Sequence, residues 1–115
     1  MKLAIVGSRE FTDYDKMCKF IASRFDIDTI DCIVSGGAKG ADSLAERFAS
    51  EHNISTKIFK PDWKRYGRAA GPIRNRSIVE YADAVVAFPT SSSKGTVNSM
   101  KLARELRKRL EVCYV

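Results

Sequence analysis

Four stretches of this chain carry the residue types that handle anions. Residues 35–42 read SGGAKGAD, residues 91–96 read SSSKGT and residues 7–9 read GSR. The longer stretch DWKRYGRAAG runs from Asp62 to Gly71 and leads through Pro72 into Arg74, Asn75 and Arg76. Glycine lets a bound group approach the backbone without a Cβ in the way, and the free N–H groups at a helix start favour negative charge. SGGAKG meets the pattern G-x-G-x-x-G loosely, with Ser35 in the first glycine position, and it follows the second strand rather than the first. The alternatives for it are a plain tight turn and a phosphate cradle. SSSKGT offers hydroxyls, a lysine and a glycine at another helix start. No GxxxxGK[ST] loop occurs.

The longer stretch adds a different chemistry. Trp63, Tyr66 and Arg68 alternate flat rings with charge, which suits stacking on a base while a phosphate is held; the competing role for Trp63 is a core plug under a long loop. Arg74, Asn75 and Arg76 are expected to open a helix, where cations run against the dipole and a negative partner would relieve them. The expected ligand-binding set is therefore Gly7, Ser8 and Arg9; Gly36, Gly37, Ala38, Gly40 and Asp42; Trp63, Tyr66 and Arg68; Arg74 and Asn75; and Ser93, Lys94, Gly95 and Thr96. Asp42 at a helix start is a capping or ribose-binding residue. If the protein is an enzyme, Arg74 and Asp42 are the catalytic candidates, with Glu80 as a second carboxylate.

These stretches need elements to position them. Lys2–Val6 (KLAIV), Ile30–Val34, Ser55–Phe59 (STKIF), Ala84–Phe88 (AVVAF) and Val112–Val115 read as short apolar strands. Helical spacing places Met17, Phe20, Ile21 and Phe25 on one face of residues 13–25, with Thr12 or Asp13 as N-cap. A second helix is predicted over Ala41–His52, with Leu44, Ala45, Phe48 and Ala49 inward. A third runs over Ile73–Ala82 with Pro72 in its first turn, after an irregular segment from Asp62 to Gly71. The last spans about Thr96–Arg109, with Val97, Met100, Ala103, Leu106 and Leu110 near one stripe. Strands alternating with amphipathic helices predict an α/β fold: a single Rossmann-like domain over residues 1–115, with a parallel five-stranded sheet and helices on both faces. In such a sheet, ligands bind beyond the carboxyl ends of the strands, and all four stretches follow strands.

Composition narrows the classes. The 115 residues suffice for one core without metal or disulfide support. Cys18, Cys32 and Cys113 are odd in number and form no CxxC, and His52 is the only histidine, so no metal cluster is expected. His52, followed by Asn53, fits a helix end. No apolar run approaches the ~20 residues that span a bilayer, and MKLAIVGSRE reads as a strand rather than a signal peptide, so a cytoplasmic chain without membrane partners is expected. Residues 1–56 carry seven basic and nine acidic side chains, a net −2, whereas residues 57–115 carry thirteen and five, a net +8. That asymmetry points to an anionic partner: a nucleotide-derived small molecule or a single-stranded nucleic acid.

In their order, GSR, SGGAKGAD, W-K-x-Y-G-R-x-A-G-P-x-R-N and S-K-G-T resemble the SLOG superfamily, most closely its compact YspA-type branch. The resemblance covers nearly the whole chain. It implies a Rossmann-like sheet that binds nucleotide derivatives such as nucleoside phosphates or ADP-ribose, with no cofactor, in a homodimer or larger homo-oligomer. The superfamily also holds the Lonely Guy phosphoribohydrolases and the Rossmann-like domain of DNA-processing protein A. Against the Lonely Guy motif, Arg74 matches the catalytic arginine and Gly95-Thr96 the glycine-threonine pair, while Ser99 stands where those enzymes carry a glutamate. A serine cannot stabilise an oxocarbenium-like charge as a carboxylate does. The resemblance thus implies binding first, with N-glycosidic hydrolysis or transfer and single-stranded DNA binding as the alternatives.

Overall fold

A computed structural model describes residues 1–114. Five parallel strands form one sheet: β1 (Lys2–Gly7), β2 (Cys32–Ser35), β3 (Ser55–Ile58), β4 (Ala84–Phe88) and β5 (Arg109–Val112), in the order β3-β2-β1-β4-β5. The register sets Gly7 beside Phe88 and Ser35 beside Ile58, so the strand ends form a common edge. Helices α1 (Tyr14–Arg24) and α2 (Ala41–Glu51) cover one face, where Phe48, Met17 and Ile21 pack on Leu3, Ile5 and Val86. Helices α4 (Ala70–Tyr81) and α5 (Lys94–Glu105) cover the other, where Ile78, Val79 and Met100 pack on Ala4, Val34 and Val85. The expected α/β architecture with helices on both faces is the one observed. No helix among the described residues is long and apolar enough to cross a membrane.

The caps explain the boundaries. Asp13 starts α1, its carboxylate accepting from the Lys16 N–H at 3.0 Å. Helix α2 ends with His52 as C-cap and Asn53 at φ 54°; the Ile54 N–H donates to the Ala49 carbonyl at 2.8 Å, closing a Schellman motif. The expected helix-end role of His52 holds.

Several boundaries correct the sequence reading. Residues 62–71 are not irregular: Asp62 caps a single turn, α3 (Trp63–Tyr66), a 3₁₀ turn follows over Gly67–Ala69, and α4 begins at Ala70 rather than Pro72. Arg74, Asn75 and Arg76 therefore sit in the second turn of α4, not at its start. Helix α5 runs Lys94–Glu105, two residues earlier at the start and four at the end than its pattern indicates, and Leu110 belongs to β5. Val97, expected inward, is 55% exposed. The final strand is Arg109–Val112 instead of Val112–Val115, and Val115 lies outside the described residues.

The early end of α5 was hidden because no glycine marks it. Arg107 takes the left-handed conformation (φ 57°), its N–H donating to the Arg104 carbonyl and that of Lys108 to the Ala103 carbonyl. Lys108 Nζ then reaches the end of α4, donating to the Ala82 carbonyl at 2.7 Å. A left-handed arginine costs what glycine would not. Arg107→Gly should raise unfolding stability by about 0.5–1 kcal/mol in urea melts; a lower midpoint would mean that the arginine side chain itself holds this turn.

Candidate functional site

Three loops meet where β1 and β4 end, and Ser8 is their meeting point. Its N–H donates to the Phe88 carbonyl at 3.0 Å, and its carbonyl accepts from the N–H groups of Phe11 and Ala41 at 3.2 and 3.1 Å. Its hydroxyl oxygen accepts from the Thr90 hydroxyl and the Glu10 N–H, both at 3.1 Å. The approach of α2 to Ser8 requires Gly40, whose φ of +71° belongs to glycine and whose Cβ would overlap the Ser8 and Arg9 backbone.

The SGGAKGAD loop holds an anion that the chain itself supplies. Asp42, in the first turn of α2, turns its carboxylate back so that Oδ2 accepts from the Ala38 N–H at 3.1 Å, with the Gly36 N–H also directed at it. From the other side, Arg74 Nη1 donates to the Gly36 carbonyl at 2.9 Å and to the Phe59 carbonyl at 3.5 Å, while Nε donates to Asn75 Oδ1 at 3.0 Å. A Cβ on Gly36 would stand 2.5 Å from Arg74 Nη1 and 2.9 Å from Asp42 Oδ2, and one on Gly37 would stand 2.9 Å from the Ile58 side chain. The glycine row therefore makes room for the protein's own side chains. Burial pushes the Asp42 carboxyl above its usual range, against the pull of the amides and of Arg74. Burial likewise pulls Arg74 below the ordinary arginine value, with Asp42 opposing; a guanidinium stays charged there.

The start of α5 is built differently. Ser93 is in the N-cap position but spends its hydroxyl on Thr90, accepting from the Thr90 N–H at 2.7 Å and donating to the Thr90 carbonyl at 2.8 Å. No side chain caps the first turn, which leaves the Gly95 and Thr96 amides without helical partners. Thr96 is 6% exposed, lines the adjoining cleft, and its hydroxyl has no hydrogen-bond partner among the described residues. Asn75 Nδ2 and the Ser99 hydroxyl both donate to the Gly95 carbonyl, at 3.4 and 3.2 Å, and fix this turn against α4.

The cleft above it encloses about 390 Å³. Of the residues expected from sequence, Gly7, Ser8, Arg9, Ala38, Asp42, Arg74, Asn75, Ser93, Lys94, Gly95 and Thr96 line it. Gly36, Gly37 and Gly40 do not line it. Trp63, Tyr66 and Arg68 lie outside the lining altogether; Trp63 is 55% exposed on α3, so it is no core plug, and the Arg65 guanidinium sits 5.1 Å from the Tyr66 ring centre. Glu80 is also absent from the lining and pairs with Arg76 at 3.2 Å on the exposed side of α4, which removes it as a candidate carboxylate. Sequence reading missed Glu10, Ser92 and Ser99 as wall residues and Val6 and Ile78 beneath them. Glu10 directly follows GSR and was within reach of that signal; Ile78 was not, because an apolar helix residue looks the same on a cleft floor as in a core.

Asp42 makes stability depend on pH with a definite sign. Its folded carboxyl holds a proton to higher pH than in the unfolded chain, so its contribution is fully present below the unfolded value and is lost as pH rises through the folded one. Asp42→Asn cannot titrate. Its stability relative to the native chain should therefore climb between about pH 4 and about pH 7, as read by urea unfolding at both ends. A difference that does not change with pH would mean that Asp42 titrates normally.

The comparisons with known proteins agree with the fold. The family described as YspA, cpYpsA-related SLOG matches residues 1–66. The Gene 61 protein of Mycobacterium phage D29 is 32% identical over 111 residues, covering 90% of this chain and 89% of that protein. The fold is similar to that of DNA processing protein A from Helicobacter pylori, a structure described for its single-stranded DNA binding mode, at a TM-score of 0.73 and 23% identity over 97% of this chain and 64% of that one. It is similar also to DNA processing protein A from Streptococcus pneumoniae, at a TM-score of 0.77 and 22% identity over 96% of this chain and 49% of that one. The chain thus spans between half and two thirds of those two proteins, and what it shares with them is the fold. On the match over residues 1–66 and the likeness to the phage protein along most of its length, this chain belongs to the YspA, cpYpsA-related SLOG family.

Proposed function

We propose that the cleft at the start of α5 binds a nucleotide or a nucleotide-derived small molecule through a phosphate group, the protein acting as a sensor, carrier or sequestering partner. The observation that carries this reading is the uncapped first turn of α5, with the Thr96 hydroxyl, unpartnered among the described residues, open to the cleft beside it and Arg9, Arg74 and Lys94 on the surrounding walls. Hydroxyl, amide and guanidinium groups converging at a helix N-terminus are what a phosphate requires. Hydrolysis of the ligand finds less support: Ser99 turns its hydroxyl to the Gly95 carbonyl, and Asp42 is held by its own loop.

Two variants separate binding from folding. Thr96→Val keeps the shape and removes a hydroxyl that holds nothing in the protein, so its urea midpoint should match the native one while affinity for nucleoside monophosphates falls about tenfold. Arg74→Ala should weaken the same binding at least about tenfold and lower stability as well, because the Gly36 and Phe59 carbonyls lose their donor. Titration calorimetry with a nucleotide panel provides the readout. Native affinity in Thr96→Val would place the phosphate elsewhere.

A second reading rests on a separate surface. Trp63 and Tyr66 stand exposed on α3, 55% and 39%, among Lys60, Lys64, Arg65 and Arg68, and exposed rings set among cations suit the bases and backbone of a single strand. The fold shared with the Helicobacter pylori protein described as binding single-stranded DNA supports this reading. On it, Trp63→Ala should cut affinity for a short single-stranded oligonucleotide by about tenfold and leave mononucleotide binding unchanged. Oligonucleotide binding that does not weaken as salt is raised would count against it.

A further inference from the structure

The cleft carries one wall residue whose charge opposes a phosphate. Glu10 lies beside Arg9 at the exit of β1 and lines the same cavity as Thr96 and Lys94. Two carboxylates reach this cavity, and they differ in freedom. Asp42 is committed to the Ala38 amide. Glu10 makes no ion pair and no side-chain hydrogen bond among the described residues, although Arg9 is its neighbour in sequence. Its main chain is nevertheless pinned, because its N–H donates to the hydroxyl oxygen of buried Ser8 at 3.1 Å. The side chain thus springs from a fixed point and, exposed at the cavity wall, ends in carboxylate oxygens that no protein donor among the described residues occupies.

A free carboxylate on the wall of an anion site repels a bare phosphate and rewards a ligand that brings hydrogen-bond donors next to its phosphate. The remaining side chains at the phosphate end are donors: Thr96, Lys94, Arg9 and Arg74. A molecule with a phosphate at one end and adjacent hydroxyls a few bonds away satisfies both demands, and a carboxylate takes a vicinal diol with both oxygens. We infer that Glu10 is the ribose acceptor of this cleft, so that the site selects a ribonucleotide with a free 2′,3′-diol over its 2′-deoxy counterpart. The inference rests on the nucleotide reading above and names the sugar class that the same site takes. It also sets the cleft apart from the α3 surface, where the carboxylate beside Trp63, that of Asp62, is engaged in capping the helix.

The test is titration calorimetry of the native protein, Glu10→Gln and Glu10→Ala with the four ribonucleoside 5′-monophosphates and their 2′-deoxy forms. The native protein should bind at least one ribonucleotide about tenfold or more tighter than its deoxy form, the size expected for one charge-assisted hydrogen bond. Glu10→Ala should bring the pair to within about twofold by weakening the ribo form alone, and Glu10→Gln, which keeps one acceptor oxygen, should fall between. Thermal unfolding of both variants should match the native protein, since the Glu10 side chain holds nothing in the fold. Equal affinity of the native protein for both sugars, or a ribose preference that survives Glu10→Ala, overturns the assignment and leaves the nucleotide reading standing. Binding of none of the eight mononucleotides overturns both.

Discussion

One carboxylate, folded back into the loop that precedes it, shapes the whole carboxyl edge of this sheet. Asp42 sits almost fully buried against the Ala38 amide, and burial of that charge is tolerable only because backbone donors and the Arg74 guanidinium surround it. Gly36 must lack a side chain so that Arg74 and Asp42 can come together across it. Arg74 in turn ties α4 to the ends of β2 and β3 through the Gly36 and Phe59 carbonyls.

The consequence is an asymmetry between two helix starts that look alike in sequence. Helix α2 begins closed: its first amide is taken by the Ser8 carbonyl, and its loop is filled by its own aspartate. Helix α5 begins open, because Ser93 turns to Thr90 instead of capping it. Both starts lie at the strand ends where β1 and β4 neighbour each other and their connections leave to opposite faces, the switch point at which open α/β sheets take ligands. The protein's own carboxylate fills one of the two helix starts and leaves the other open to the cleft.

The elements were largely legible because their signals are local. Strands ending at Gly7 and Phe88, the Asp13 cap and the apolar stripe of α2 follow from residue order alone. Legibility failed where a non-local contact overrode a local preference. Arg107 adopts a conformation that usually calls for glycine, in a turn whose next residue, Lys108, caps α4. Residues 63–66 form only a single turn, too short for any period to show. Val97 falls on a spacing that predicts burial, yet it stands 55% exposed. Glu10 directly follows GSR, yet its place on the cleft wall depends on where α4 and α5 meet the end of β1.

By itself, the residue order determined the alternation of strands and helices, the sheet edge where small and basic residues gather, and the family to which the chain belongs. Periodicity and capping act within a few residues of one another, and short motifs keep their spacing however the chain is folded. Only the tertiary structure decided which glycines make room for the protein's own side chains, that Asp42 is held by its own loop, and that the aromatic surface on α3 stands apart from the cleft. Those facts depend on which side chains reach across from other elements. Arg74 meets Gly36 across a sequence separation of 38, and Ser8 meets Thr90 across one of 82. No local rule carries information across such separations; the packing of α2, α4 and α5 on the shared sheet supplies it.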